Sequence, residues 1–195
     1  LVAEPVAKQT KVTIDTIPTL ILYFPNDEPN PKSLQTHTNE HYTDILHRYI
    51  AYKDNYIKGS ANENSAQSMQ LFFEQQVISK ENDINQFLNK LEIKLKQGAK
   101  LEINIYGYAS PLSHNEYNTN LSQRRIASFE NSLKTYNNSV LNEYIKKQQL
   151  IITHKAFGED KANTIVSDKL NELSSSVYSK EAALERRIEI QVRIK

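Results

Sequence analysis

The sequence predicts an α/β sandwich, β-α-β-α-β-α-β, with helices on one face of a mixed sheet and a helical insertion after the first strand. Three observations carry that expectation. The stretches "LEINIYG" (Leu101–Gly107) and "RIEIQVRIK" at the end alternate apolar and polar residues with period two, as strands with one buried face do. Between them run segments whose apolar residues recur at helical spacing. Gly98, Gly107 and Gly158 fall where those elements should stop. Strands alternating with helices make layers, with the helices on the sheet's apolar side.

The elements follow in order. Residues 1–18 are polar and aperiodic and read as a lead-in; residues 19–195 form the domain. "TLILYF" (Thr19–Phe24) is a short apolar run closed by "PNDEPNP", a buried strand and a Pro-punctuated loop. Residues 30–79 then form the helical insertion. Tyr42, Ile45, Leu46, Tyr49 and Tyr56 lie on one face of a helix stopping near Gly59, and Met69, Phe72, Phe73 and Val77 mark a second. Ile84, Phe87, Leu88, Leu91 and Leu95 mark a third, with Gly98 at its C-terminal cap. After the strand at Leu101, residues Leu121, Ile126, Phe129 and Leu133 define a helix, followed by a short one around Leu141–Lys147. "LIITHKAFG" is a strand, residues 159–184 are a polar excursion, and Ile188, Ile190, Val192 and Ile194 end the chain as a strand.

Composition narrows the function classes. With 195 residues and a net charge of +1, there is no concentrated basic surface for nucleic acid. No apolar run reaches the roughly 18 residues of a membrane span. Without cysteine there are no disulfides, thiolate metal sites or cysteine nucleophiles. Only four glycines occur, none close enough together to cradle a phosphate. The chain begins at Leu1 without a recognisable leader, as an excised or mature piece would.

Arginine is scarce, six against 18 lysines, yet Arg124 and Arg125 stand side by side in "GYASPLSHNEYNTNLSQRRIASF". Asn118, Ser122 and Arg125 fall at i, i+4 and i+7, one face of a helix. Arg124 lies about 100° around it and is expected in solvent. Of Arg186 and Arg187, at the start of the last strand, one should face in and form a structural salt bridge.

Four segments in the same order resemble the OmpA C-terminal-like (OmpA/Pal/MotB) peptidoglycan-binding domain. "NTNLSQRRI" is similar to its Asn-x-x-Leu-Ser-x-x-Arg pattern, "FGE" to its Gly-Glu turn, "ERRIEIQV" to its closing strand and "LYFPND" to its opening one. The insertion, with "YFPNDEPNP" and "GYASP", also resembles variants in envelope proteins of gliding, type IX-secreting bacteria. The resemblance implies non-catalytic binding of the peptidoglycan stem peptide through diaminopimelate, in the periplasm at the outer membrane and cell wall, with other envelope or secretion proteins as partners. It implies that Arg125 grips the ligand carboxylate, for which a planar guanidinium is suited. Asn118, Leu121 and Ser122 come from the same motif.

One position departs from that pattern. Where the family has Gly-His-Thr-Asp, this chain has Gly107, Tyr108, Ala109 and Ser110, so the acid that meets the ammonium is missing. Asp27, after the first strand, either replaces it or caps the "NDEP" turn. Tyr108 and Tyr117 either wall the groove or pack an ordinary loop. The alternative function is a protein-interaction module on the same fold, with the insertion's tyrosine face as its working surface. "HTNEH" (His37–His41) matches an inverted zinc-peptidase signature, with Glu40 as base, but lacks a third ligand downstream. His154 reads as a structural histidine. No catalytic set, metal site or cofactor is predicted.

Overall fold

The computed structural model describes residues 16–195, so the expected lead-in lies outside the described residues up to residue 15. Strands β1 (Leu20–Tyr23), β2 (Leu101–Gly107), β3 (Leu150–Ala156) and β4 (Arg187–Ile194) form one mixed sheet in the order β1-β4-β2-β3. β2 and β3 pair parallel, while β4 is antiparallel to both β1 and β2. The period-two pattern has the predicted consequence. Leu101, Ile103, Ile105, Ile188 and Ile190 are buried, while Glu102, Tyr106, Glu189 and Gln191 on the other face are partly exposed. Each such buried side chain contributes about 1.5–3 kcal/mol relative to exposure.

Helices α1 (Tyr42–Ala51), α2 (Lys53–Lys58) and α3 (Glu63–Phe72) make up the insertion, continued by a π-helical turn at Phe73–Val77. The single helix expected through Tyr56 is thus two, parted at Tyr52 (φ −84°, ψ 0°). The tyrosine face survives the break. Tyr42, Tyr49 and Tyr56 are buried, with Tyr49 edge-on to Phe73 at 4.9 Å and to Tyr56 at 5.3 Å. Tyr42 donates to the Tyr23 carbonyl (3.0 Å), and Tyr56 Oη accepts the Asn26 amide (2.7 Å). That face therefore docks the insertion onto its own sheet edge.

Helix α4 (Lys80–Lys96) ends with Gly98 at φ +89°, the left-handed conformation glycine adopts without strain. Helix α5 (Asn115–Lys146) leaves helical geometry at Tyr136–Ser139, where Asn137, Asn138 and Ser139 have positive φ. Asn tolerates that region, and Asn137 Nδ2 is held by the Glu92 carboxylate at 3.0 Å. Short helices α6 (Leu173–Ser176) and α7 (Lys180–Glu185) precede β4.

Candidate functional site

β1 and β2 both run antiparallel to β4, and β3 runs with β2, so the carboxyl ends of β1, β2 and β3 share one sheet edge. Ligands of open α/β sheets collect at such an edge. Here the loops after these strands meet the first turns of α5. Two close approaches fix the meeting. A Cβ on Gly107 would lie 2.8 Å from the Ser122 carbonyl oxygen, and one on Gly158 (φ +58°) would lie 2.9 Å from Thr119 Oγ1. The Gly158 carbonyl accepts the Ala109 amide at 2.7 Å, joining the second and third loops.

The loop after β1 is tied to α5 through its carbonyls. Arg124 donates from Nε to Pro29 O (3.0 Å) and from Nη1 to Ser33 O and Gln35 O (2.7 Å each). Arg125 donates from Nε to Glu28 O (3.1 Å), from Nη1 to Tyr108 O (2.8 Å) and from Nη2 to Pro25 O (3.4 Å). Asn120 reaches Leu34 O (3.1 Å), and Asn131 reaches Thr38 O and Glu40 O. Both arginines have 0% exposure. The expectation that Arg124 is solvated is therefore corrected: the β1 loop wraps over it, its Nε bonding the carbonyl next to the one Arg125 Nε holds, and its cation lies 5.4 Å from the Tyr117 ring. Burial, then the nearby Arg186 and Arg124 guanidiniums, pushes Arg125 down to about 9.

Above this stapled loop opens a cleft of about 660 Å³. Asp27, Ser110, Tyr117, Asn118 and Leu121, all predicted site residues, line it. Asp27 sits at φ +57°; its Oδ2 accepts the Lys32 amide at 3.1 Å, and its Oδ1 accepts a hydrogen bond from the Tyr117 hydroxyl. Burial, then that bond to the carboxylate, raises the Tyr117 pKa. Asp27 thus forms the turn and also lines the cleft. Asn118 gives its amide hydrogens to Ser113 O and Glu159 Oε2, each at 2.8 Å.

The other predicted residues lie outside the lining. Ser122 is buried and donates back to the Asn118 carbonyl (2.8 Å), Ala109 is buried, and Arg125, expected to grip a ligand carboxylate, is instead fully buried outside the lining with its donors on main-chain carbonyls. Tyr108 stacks on Phe157 at 5.4 Å, with the Arg187 cation 4.2 Å over its ring. Arg186 is the inward member of its pair. Among the described residues it makes no salt bridge but donates to Val177 O (2.9 Å), its cation 5.7 Å from the Tyr56 ring, while the half-buried Arg187 pairs with Glu185 and Glu189. His154 is exposed beside Glu130. His37–His41 is not helical: His41 precedes α1 as its N-cap, and Glu40 pairs with Arg48. The i, i+4 geometry of the zinc signature is absent.

The sequence reading missed Lys32, His114, Asp168 and Leu170, which also line the cleft. Asp168 and Leu170 come from the polar excursion, whose lack of period gave no signal. The site is thus a polar cleft with carboxylates on two walls and apolar Leu121 and Leu170, a form that suits a small ligand or peptide. Comparison with protein-family models, curated proteins and solved structures found no match to this chain.

Proposed function

We propose that the domain binds the stem peptide of peptidoglycan in this cleft without catalysing a reaction, and thereby anchors a larger envelope assembly to the cell wall. One observation carries the reading: Asp27, Ser110, Asn118 and Leu121, separate in sequence, meet in one cleft at the carboxyl edge of the sheet. In this reading the diaminopimelate ammonium meets Asp27, which replaces the acid missing at Ser110, and Arg125 shapes the floor by holding the β1 and β2 loops. An ammonium taken from water needs such an anion, because a desolvated charge without partners costs several kcal/mol. The resemblance of "NTNLSQRRI" and the closing strand to the OmpA C-terminal-like domain points the same way, and with it periplasmic localisation. Burial of Tyr42, Tyr49 and Tyr56 counts against the interaction-module alternative in the form that uses this face.

Titration calorimetry with a purified diaminopimelate stem peptide, beside a pull-down on sacculi, tests the proposal. Asp27→Asn keeps one oxygen, for the Tyr117 hydroxyl, gives up the acceptor of the Lys32 amide and removes the charge. It should weaken binding by roughly 1.5–3 kcal/mol, the worth of a hydrogen bond to a charged group. A wild-type domain that binds neither peptide nor sacculi would remove this function.

A further inference from the structure

Two largely buried residues, Ser110 and Asn118, carry side-chain oxygens and line the cleft. Ser110 is 5% exposed and Asn118 2%. With its amide hydrogens used on Ser113 O and Glu159, Asn118 presents Oδ1 with no donor among the described residues, and Ser110 Oγ makes no side-chain hydrogen bond there. Oxygens on largely buried residues that line a cleft can accept there from a ligand's donors. Asp27 on one wall and Asp168 on the other add carboxylates, and a carboxylate has about four acceptor sites, of which Asp27 uses two. Cationic donors are few. Arg124 and Arg125 lie outside the lining and bond main-chain carbonyls, with only Arg124 Nη2 left without a partner among the described residues, and Lys32 is an exposed side chain. Apolar surface lies beside the acceptors at Leu121 and at Leu170, which is 72% exposed while lining the cleft.

We propose that the cleft recognises a primary ammonium on an aliphatic stem, held between Asp27 and Asp168 over the Ser110 and Asn118 oxygens, with Leu121 and Leu170 against the stem. The carboxylate beside that ammonium is dispensable. This rests on the proposed function for the identity of the peptide, and it changes what selects it: a lysine or a carboxamide form of diaminopimelate is accepted as readily as the free acid. Asp168 and Leu170 become ligand-contacting residues.

Calorimetry on the whole chain separates the terms, using stem peptides that carry diaminopimelate, its side-chain carboxamide, lysine, or lysine acylated at the amine. The first three should agree within about threefold, and acylation should weaken binding at least thirtyfold. Asp168→Asn should lose about tenfold and Leu170→Ser a few-fold for all three amine-bearing peptides alike. Loss of more than tenfold on amidation or on exchange for lysine overturns the inference, as does indifference to acylation. N-acetyl-lysine methylamide, followed by NMR shifts of the Ser110 and Asn118 amides, separates the two readings. If it binds where no stem peptide does, the ammonium inference stands and the cell-wall function falls. If neither it nor any stem peptide binds, both fall.

Discussion

The cleft has two acidic walls built in opposite ways. The Asp27 wall is a loop whose carbonyls are gripped by Arg124, Arg125, Asn120 and Asn131 of α5, and whose Asn26 amide is held by the Tyr56 hydroxyl. The Asp168 wall is irregular chain between β3 and α6. Past Asp160 its internal bonds are short-range, as from Val166 N to Asn163 O (3.0 Å), and its longer ties are to Asn118 and Asn115 at Glu159 and Asp160 (2.8 and 2.9 Å) and from Asn163 N to Glu185 (3.1 Å). Its apolar residues Ile165 and Leu170 face solvent, and Val166 alone of the three is buried. One wall is preorganised, so a ligand meets a carboxylate already in place; the other can adjust around it at little cost.

The sharpest way to break the comparison is Arg125→Ala. It leaves the carbonyls of Glu28 and Tyr108 without this donor and that of Pro25 with only the long bond from Glu28 N (3.5 Å), and empties space beside Phe24, 5.3 Å from the guanidinium. Each orphaned buried group costs about 1–3 kcal/mol, so the variant should lose roughly 3–5 kcal/mol in denaturant unfolding. Arg125→Lys should recover little, because an ammonium lacks the planar fork. An unchanged unfolding midpoint would show that the β1 loop stands without its staple. Arg124→Ala acts on the same wall and should cost about 2–3 kcal/mol, again through the carbonyls it deserts.

Alkaline pH attacks the same wall from below. Tyr42, Tyr49 and Tyr56 are buried under it, and desolvation raises each phenol above its ordinary value of 10.0. In the folded state they hold their protons past the pH at which the unfolded chain releases them. Their contribution is complete below pH 10 and is lost as pH rises beyond it. Arg125 has the opposite sign: its folded value of about 9 lies below the unfolded one, so rising pH relieves its cost. Several phenols outweigh one guanidinium, and stability should fall above pH 10. Phenolate absorbance should grow together with the loss of circular dichroism. Tyrosines that all titrate near 10 in an intact fold would contradict their burial.

The two walls also divide what the sequence could reveal. Period two exposed β2 and β4, because one face of each packs on helices, and helical spacing exposed α4 and α5. The break at Tyr52 and the π-helical turn at Phe73–Val77 left no such mark, since Tyr49 and Tyr56 on either side of the break, and Phe73 and Val77 in the turn, stay buried. Asp27 and Asn118 were legible from local motifs. The burial of Arg124 was not, because a helical wheel gives the angle between neighbours but not which distant loop covers them. Asp168 and Leu170 were invisible for a related reason: position in an aperiodic loop is decided by where its ends are tied, at Gly158 and α6.

The smallest expected effect tests whether the second wall is mechanically separate. Leu170 is 72% exposed, so replacing it removes almost no buried apolar area, and Asp168 makes neither a hydrogen bond nor a salt bridge through its side chain among the described residues. Substitutions away from caps, cores and networks stay within about 0.5 kcal/mol. Leu170→Ser and Asp168→Asn, alone and together, should therefore unfold at the wild-type denaturant midpoint, and in the Arg125→Ala background should add nothing to its loss. Any effect of these changes then belongs to the ligand-bound state alone. A double variant that unfolds a full kilocalorie per mole early, or that worsens Arg125→Ala by more than its own cost, would mean that the walls are coupled through the cleft. The loop after β3 would then be part of the structural frame and not an adjustable arm.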